Sequence, residues 1–382
     1  MRKFKTVFMR GGTSKGCLFK KEDLPADRAE WDRIFLQVMG CPDPKQIDGM
    51  GGTVSSNNKI VVIWKSEEPN VDIEYLVGQV IVGKEQVDYK SNCGNMTAAV
   101  PAFAVEEGMV EIKEPVTTVR MLNKNTDKYI NVDVPIDPET HTFAQDGDCE
   151  IAGVDGTAAE LKVDFLNPAG AKTGKLLPTG HVIDTLDIPG FGKLEATIID
   201  VSNPIVLVRA EDIGMKGTEL PSEINANTLV MELLEKIRGT ACVMMGFAKD
   251  LQDATDHQPG VPKVGFVTSP VGFTDIEGKE VNADKMDVCV RVISVFKCHK
   301  AIPLTAASSV STAAFLDGTI VNQVAPVKSG QTTVRIGHPS GVMTMVPTVE
   351  KQGDNMADAK VPGVAVQRTA RRIMDGYVYV RN

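Results

Sequence analysis

The sequence predicts an α+β protein, and three observations carry that reading. Short apolar runs bounded by turn residues outnumber helical patterns and do not alternate strictly with them, which argues against a doubly wound sheet. Glycine (34) and proline (21) are abundant while aromatics are only 5%, a balance that suits many short elements joined by tight turns. The third is a weak internal repeat. Thr6–Arg10 runs into a small-residue turn and out as a second strand, and 196–200 does the same into Ser202-Asn203-Pro204. Each is followed by a helix of small residues, one starting near Cys93 and ending at Gly108, the other running from Thr305 to near Gly318. Such helices suit a tight interior enclosed by a strongly curved sheet. Two similar halves, split near Pro189-Gly190, would face each other across a cleft.

In chain order, strands are expected at 5–9, 17–19, 60–64, 76–82, 116–122, 129–134, 161–165, 196–201 and 205–208, several of them alternating apolar and polar residues. Helices are expected at 26–39, 96–107, 227–238, 283–295, 306–315 and 369–374. Asp27 is a plausible cap for the first, and Asn225 or Asn227 for the third. The domain division is then 1–188 for the first half, with 375–382 returning to it as a strand, and 189–374 for the second.

The net charge of −9 disfavours nucleic acid as a partner, because phosphate neutralisation needs clustered cations. No stretch approaches the ~20 apolar residues that span a bilayer. The start, MRKFKTVFMR, lacks the apolar run of a signal peptide. Seven scattered cysteines with no CxxC pair fit reduced thiols and a cytoplasmic location. No metal-ligand spacing occurs, so no metal is expected.

Five places in the chain could carry chemistry. Arg10-Gly11-Gly12-Thr13-Ser14-Lys15-Gly16 offers free backbone N–H groups and several donors, as an anion site requires, but is neither a Walker A loop nor a dinucleotide fingerprint. A tight glycine hairpin explains the string equally well. In Asn92-Cys93-Gly94-Asn95 the cysteine stands just before a helix, where unsatisfied N–H groups favour a thiolate and Gly94 allows close approach of a ligand. Lys59 precedes the apolar strand 60–64, a setting in which partial burial would favour the neutral amine. His299, and His338 with Ser340, lie in short polar strings of the second half, and each histidine could pair with a carboxylate.

These strings occur in a particular order: RGGTSKG at 10–16, QIDGMGG at 46–52, SSNNK at 55–59, NCGNMTAAV at 92–100, LLPTG at 176–180, INAN at 224–227, KCHKA at 297–301 and RIGHPSG at 335–341. Together they resemble the 2-methylaconitate cis-trans isomerase family, which includes 3-methylitaconate Δ-isomerase and 4-oxalomesaconate tautomerase, over essentially the whole chain. The resemblance implies a diaminopimelate-epimerase-like fold, two similar halves each with a curved sheet around a central helix and the active site in the cleft. It assigns catalysis to a lysine and a cysteine that fall on Lys59 and Cys93. It also implies a small unsaturated di- or tricarboxylic acid as substrate and no cofactor. Arg10, Ser14, Asn92, Gly94, Asn95, His299, His338 and Ser340 are the expected carboxylate-holding residues, and a homo-oligomer stays open. SSNNK stands where SSTSK is more usual, VSNP at 201–204 varies within the family, and Ser308-Ser309 replace apolar residues next to the expected cavity. Racemases of this fold oppose two cysteines, one per half, and the second-half helix, reading Ala307-Ser308-Ser309-Val310, lacks the second thiol. An amino-acid racemase or epimerase is thereby disfavoured but kept as the alternative, beside a non-catalytic protein that holds a tricarboxylate.

Overall fold

The computed structural model describes residues 1–89, 93–353 and 355–381. Two compact units divide the chain. One comprises Met1–Leu166 and the chain from Val366 onward, the other Asn167–Ala365.

In the first unit β1 (Arg2–Gly11) and β2 (Ser14–Lys20) form a hairpin with Gly11 opposite Ser14. The helix α1 (Trp31–Met39) lies in the crossover to β3 (Lys59–Lys65), which runs parallel to β2. β3 pairs antiparallel with β4 (Ile73–Val80), whose far end takes the two-residue β5 (Val87–Asp88). The chain then enters α2 (Gly94–Thr97) and α3 (Ala99–Glu106). β6 (Val116–Asn123) joins β4 in parallel, followed by the antiparallel β7 (Lys128–Pro135) and β8 (Leu161–Leu166).

The sheet buries both faces. Alternate residues Phe8, Cys17, Phe19, Ile60 and Val62 pack with Trp31, Ile34 and Phe35 of α1. The other face closes on α3, whose residues Ala99 to Val105 are all buried. A helix that is apolar all round has no solvent face and belongs in a core, and its alanines let the strands come close.

The second unit repeats this order. β9 (Asp184–Ile188) and β10 (Gly192–Val201) form a hairpin, and β10 turns through Ser202 into β11 (Asn203–Arg209). Three helices, α4 (Pro221–Ala226), α5 (Thr228–Met244) and α6 (Leu251–His257), lead to β12 (Lys263–Thr268), parallel to β11. After the small hairpin of β13 (Phe273–Thr274) and β14 (Glu280–Val281) comes β15 (Val288–Ser294), antiparallel to β12, with the two-residue β16 (Lys297–Cys298) on its end. The central helix α7 (Leu304–Phe315) is buried from Ala306 to Ala314. α8 (Ile320–Val324), β17 (Val334–His338), parallel to β15, and the antiparallel β18 (Gly341–Glu350) complete the set. Hairpin, parallel strand, antiparallel strand with a short appendage, buried helix, parallel strand and antiparallel strand recur in both units. The internal repeat is thus a repeat of topology, in an α+β fold.

Three details differ from the sequence reading. The unit boundary falls at 166/167 and 365/366 rather than 188/189 and 374/375, because β9 pairs with β10 inside the second unit. Residues 283–295 are not helical: after one 3-10 turn they form β15, where Val288, Val290, Val292 and Ile293 are β-branched and the strand is buried on both faces. The segment 369–374 is likewise not helical but part of a strand, Ala370–Val380, that runs antiparallel along the whole of β1. Of the expected caps, Asp27 accepts from Ala29 N–H to start the 3-10 turn that leads into α1, and Asn227 accepts from Val230 N–H at the start of α5.

The strand Ala370–Val380 is tied to the end of α3 by charge. Arg372 bonds Glu106 at 2.9 Å and Glu107 at 2.8 Å, and Lys20 of β2 bonds Glu107 at 3.0 Å. Burial would raise the Glu107 carboxyl, but bonds from Arg372, Lys20 and Lys5 outweigh it and bring it down to about 2. A carboxylate depressed in the folded state stabilises above its ordinary value of 4.5 and loses that contribution as pH falls toward about 2. Glu107→Gln is therefore expected to be less stable than the parent at about pH 6, with the difference shrinking toward about pH 3, in denaturant unfolding at the two pH values.

Candidate active site

The turn 10–16 is closely packed. Gly12 has φ +50°, and a Cβ there would meet Asn95 Oδ1 at 2.3 Å. A Cβ on Gly16 would lie 2.0 Å from the Lys59 carbonyl oxygen. The glycines let the hairpin press on the start of α2 and on the first residue of β3. Arg10, expected to hold a carboxylate, turns back into the fold: its Nη1 donates to Gly12 O at 3.0 Å and to Thr369 O and Oγ1 at 3.1 and 2.9 Å. Burial, then Arg371, lowers its pKa.

Cys93 is the N-cap of α2, half-buried, with Thr97 N–H donating to its carbonyl. Its Sγ lies 3.9 Å from the Oγ of Ser14, which is 4% exposed. Thr97 Oγ1 also donates to the Cys93 carbonyl, and Tyr75 OH stands 2.9 Å from that hydroxyl, so a neutral polar chain anchors the cysteine backbone from β4. Asn95 bonds Thr13 Oγ1 at 2.9 Å and closes the turn over the helix start headed by Gly94. Asn92, named with these residues from the sequence, lies outside the described residues.

The sequence reading missed a buried charge. Arg368, 8% exposed, has its pKa lowered to about 10 by burial, with the thiols of Cys149 and Cys93 acting in the opposite sense. No motif marks it, since Gln367-Arg368-Thr369 reads as an ordinary polar stretch.

Lys59, the first residue of β3, lies opposite Gly16 of β2 and Gln79 of β4. Its Nζ donates to Gln79 Oε1. The preceding loop is held by Asn58, a fully buried side chain whose Nδ2 donates to Gly52 O and, at 2.8 Å, to Val54 O. Ser14 and Gly16 are two apart on β2 and therefore face the same side, about 7 Å along the strand. Ser14 touches Cys93 and Gly16 adjoins Lys59, so amine and thiol occupy one face of one strand, the face toward α2.

In the second unit the two histidine strings meet where Ser340 Oγ donates to Lys300 O. His299 Nδ1 accepts from Ala301 N–H at 3.1 Å, which leaves Nε2 as the protonated, donating nitrogen. Burial, outweighing the Ala301 bond, lowers its pKa, with Lys263 adding to the effect. His338 is only 2% exposed and its Nδ1 accepts from Ser340 N–H, which holds the 338–341 turn. Asn225 of the INAN string accepts from Cys298 N–H at 2.9 Å, pinning the strand before His299. The residue that heads α7, as Cys93 heads α2, is Pro303. Ser308 and Ser309 are not cavity residues: both are buried within α7 and bonded to Leu304 O and Val201 O.

A groove of about 890 Å³ on the first unit, lined by Lys20, Trp31, Trp64 and Glu107 among others, contains none of the candidate residues, and its Lys20 and Glu107 are spent on each other. Among the described residues no cluster of three or more His, Cys, Asp or Glu could hold a metal ion, and no helix is long and apolar enough to cross a membrane.

Known proteins of similar sequence and structure extend this picture. The chain is 42% identical over 375 residues to the 3-methylitaconate isomerase of Eubacterium barkeri, covering 98% of this chain and 96% of that one. It is 39% identical over 392 residues to the 2-methyl-aconitate isomerase of Shewanella oneidensis, covering 99% and 97%. A solved methylitaconate-delta-isomerase superposes with a TM-score of 0.89 at 40% identity, over 99% of this chain and 96% of that one. With an α+β fold shared along its length and relatives of this kind, the protein is an isomerase. Residues 1–381 match the model of the family described as PrpF protein, and the chain belongs to the PrpF family.

The packing around Gly16 makes a test. Gly16→Ala places a methyl against the Lys59 carbonyl that no side-chain rotation relieves. It is expected to cost about 1–3 kcal/mol of stability and to lower isomerase turnover about a hundredfold by displacing β3. Gly260→Ala, with nothing within 4 Å of the new atom, should leave both unchanged. Melting curves and proton NMR rates check the pair.

Proposed function

We propose that the protein moves a carbon–carbon double bond in a small unsaturated di- or tricarboxylic acid of the methylitaconate or methylaconitate type. The observation that carries the reading is the sharing of one β2 face by Lys59 and Cys93, within a chain similar along its length to isomerases named for those acids. Such a substrate is a weak carbon acid. A base must remove a proton from the allylic carbon, the C–H electron pair becomes the new double bond, and the old double bond takes a proton at its far end. The negative charge that develops spreads onto the adjacent carboxylate. A positioned base, a positioned acid and nearby donors are what this demands.

Lys59 or the Cys93 thiolate takes the proton, and the other group, or the same one after the substrate turns, returns it. Only a proton moves and no electrons or groups are transferred, so side chains suffice and no cofactor is required. Ser14 and the backbone amides at Gly94 and Asn95 serve the carboxylates, with Arg368 supplying positive potential. In the second unit, taken by itself, His299 offers an Nε2 donor beside the turn that holds Ser340. Arg10 and His338 are assigned to building turns.

Incubation with 3-methylitaconate, 2-methylaconitate, trans-aconitate and oxalomesaconate in deuterium oxide, followed by proton NMR, tests the reading. It expects migration of the double bond with deuterium at the far end of the old double bond, the carbon that takes up the proton. Lys59→Ala and Cys93→Ser should each lower the rate by about 10²–10⁴ with the fold intact. A Cys93→Ser protein of undiminished rate would remove the thiol from the chemistry, and deuterium entering an α-amino acid would replace the reading with racemisation.

A further inference from the structure

The amine of Lys59 is held by an amide. Gln79 lies directly opposite Lys59 in the β3–β4 ladder, so both side chains leave the same face about 5 Å apart. The Gln79 amide is locked in one orientation. Its Nε2 donates to Ser55 O at 3.1 Å, Asn58 O at 3.1 Å and Val80 O at 3.0 Å. With three carbonyls claiming the NH₂ end, Oε1 is the end that faces Lys59, and it accepts from Nζ. A carboxylate is close but one strand further away: Asp88 of β5 lies opposite Gln79 on its other side. Among the described residues, the other ionisable groups on the surrounding elements include Lys15 and Cys17 of β2, Glu74 and Tyr75 of β4, the Cys93 thiol at the head of α2, and the buried Arg368.

We propose that Gln79 is the positioning residue for the Lys59 amine, fixing its direction through an uncharged acceptor and standing between it and the carboxylate of Asp88. The inference rests on the reading that Lys59 transfers a proton. An ammonium beside a carboxylate keeps its proton, and a lysine with no acceptor samples many rotamers and loses entropy when it must be ordered. A neutral acceptor, itself immobilised, avoids both. The amine can then hold or release a proton while its remaining N–H bonds and its lone pair stay directed to the side where Cys93 lies.

Two variants separate this role from a merely structural one. Gln79→Met and Gln79→Glu both lose the three donor bonds to the loop, but only Gln79→Glu places a negative charge against Nζ. Lys59 is labelled with acetic anhydride across a pH range without substrate and quantified by mass spectrometry, and kcat and KM are measured over the same range with 3-methylitaconate. For Gln79→Glu the apparent pKa of Lys59 labelling, and the limb of the rate profile that reports the amine, are expected to rise by about one to three units. For Gln79→Met the labelling pKa should stay close to the parent, while kcat falls about ten- to a hundredfold and KM changes little. A parent-like kcat in Gln79→Met, or an unmoved labelling pKa in Gln79→Glu, overturns the proposal. If Lys59→Ala still turns over substrate, the catalytic reading fails, yet the labelling shift still decides whether Gln79 governs this amine. If one variant does not fold, the other carries the decision.

Discussion

The first unit is organised around two backbones that meet where no side chain could stand. At Gly16 the carbonyl of Lys59 occupies the space of a Cβ, and at Gly12 the side chain of Asn95 does the same. These contacts bring the β1–β2 hairpin, the start of β3 and the head of α2 to one point. Ser14, between the two glycines, is what carries the cysteine and the lysine to a common face. The hairpin is stiff because Arg10 braces the turn from outside, tying Gly12 to Thr369. Glycine in this stretch thus trades loop freedom for proximity, in contrast with the anion-cradling loops it resembles in composition.

Much of this was legible in the sequence. Alternating apolar residues located the strands that are half-buried, and the small-residue composition of 96–107 and 306–315 marked both central helices. What escaped was decided by distant parts of the chain. The run 283–295 carries polar residues at helical intervals, but its β-branched residues answer to β12 and β17 on either side, contacts that no local window contains. Residues 369–374 become strand because β1, more than three hundred residues earlier, offers its edge. In the site, Cys93 and Lys59 announced themselves through their neighbours. Gln79 and Arg368 did not, since each acquires meaning only from its partner across a strand or through the core. Arg10 and His338 show the converse: conspicuous residues in conspicuous strings that the fold spends on turns.

The groups around Cys93 and Lys59 are largely neutral. Tyr75, Thr97, Ser14, Gln79 and Asn58 orient by hydrogen bonds without imposing charge, while Arg368 and, one strand further from Lys59, Asp88 bring charge. Dipoles fixed by a rigid sheet need little rearrangement when charge appears on a bound molecule, whereas mobile ions or water would have to reorganise. A sheet buried on both faces is well suited to holding such dipoles still.

The pairing of β1 with the strand Ala370–Val380 has a consequence for biosynthesis. During translation, residues 1–166 leave the ribosome long before the chain that completes their sheet, because all of 167–365 must be made first. Until then an open strand edge and an unbraced glycine turn are exposed in the nascent polypeptide, an edge of the kind that invites non-native pairing. The first unit to emerge is thus the last whose sheet can close.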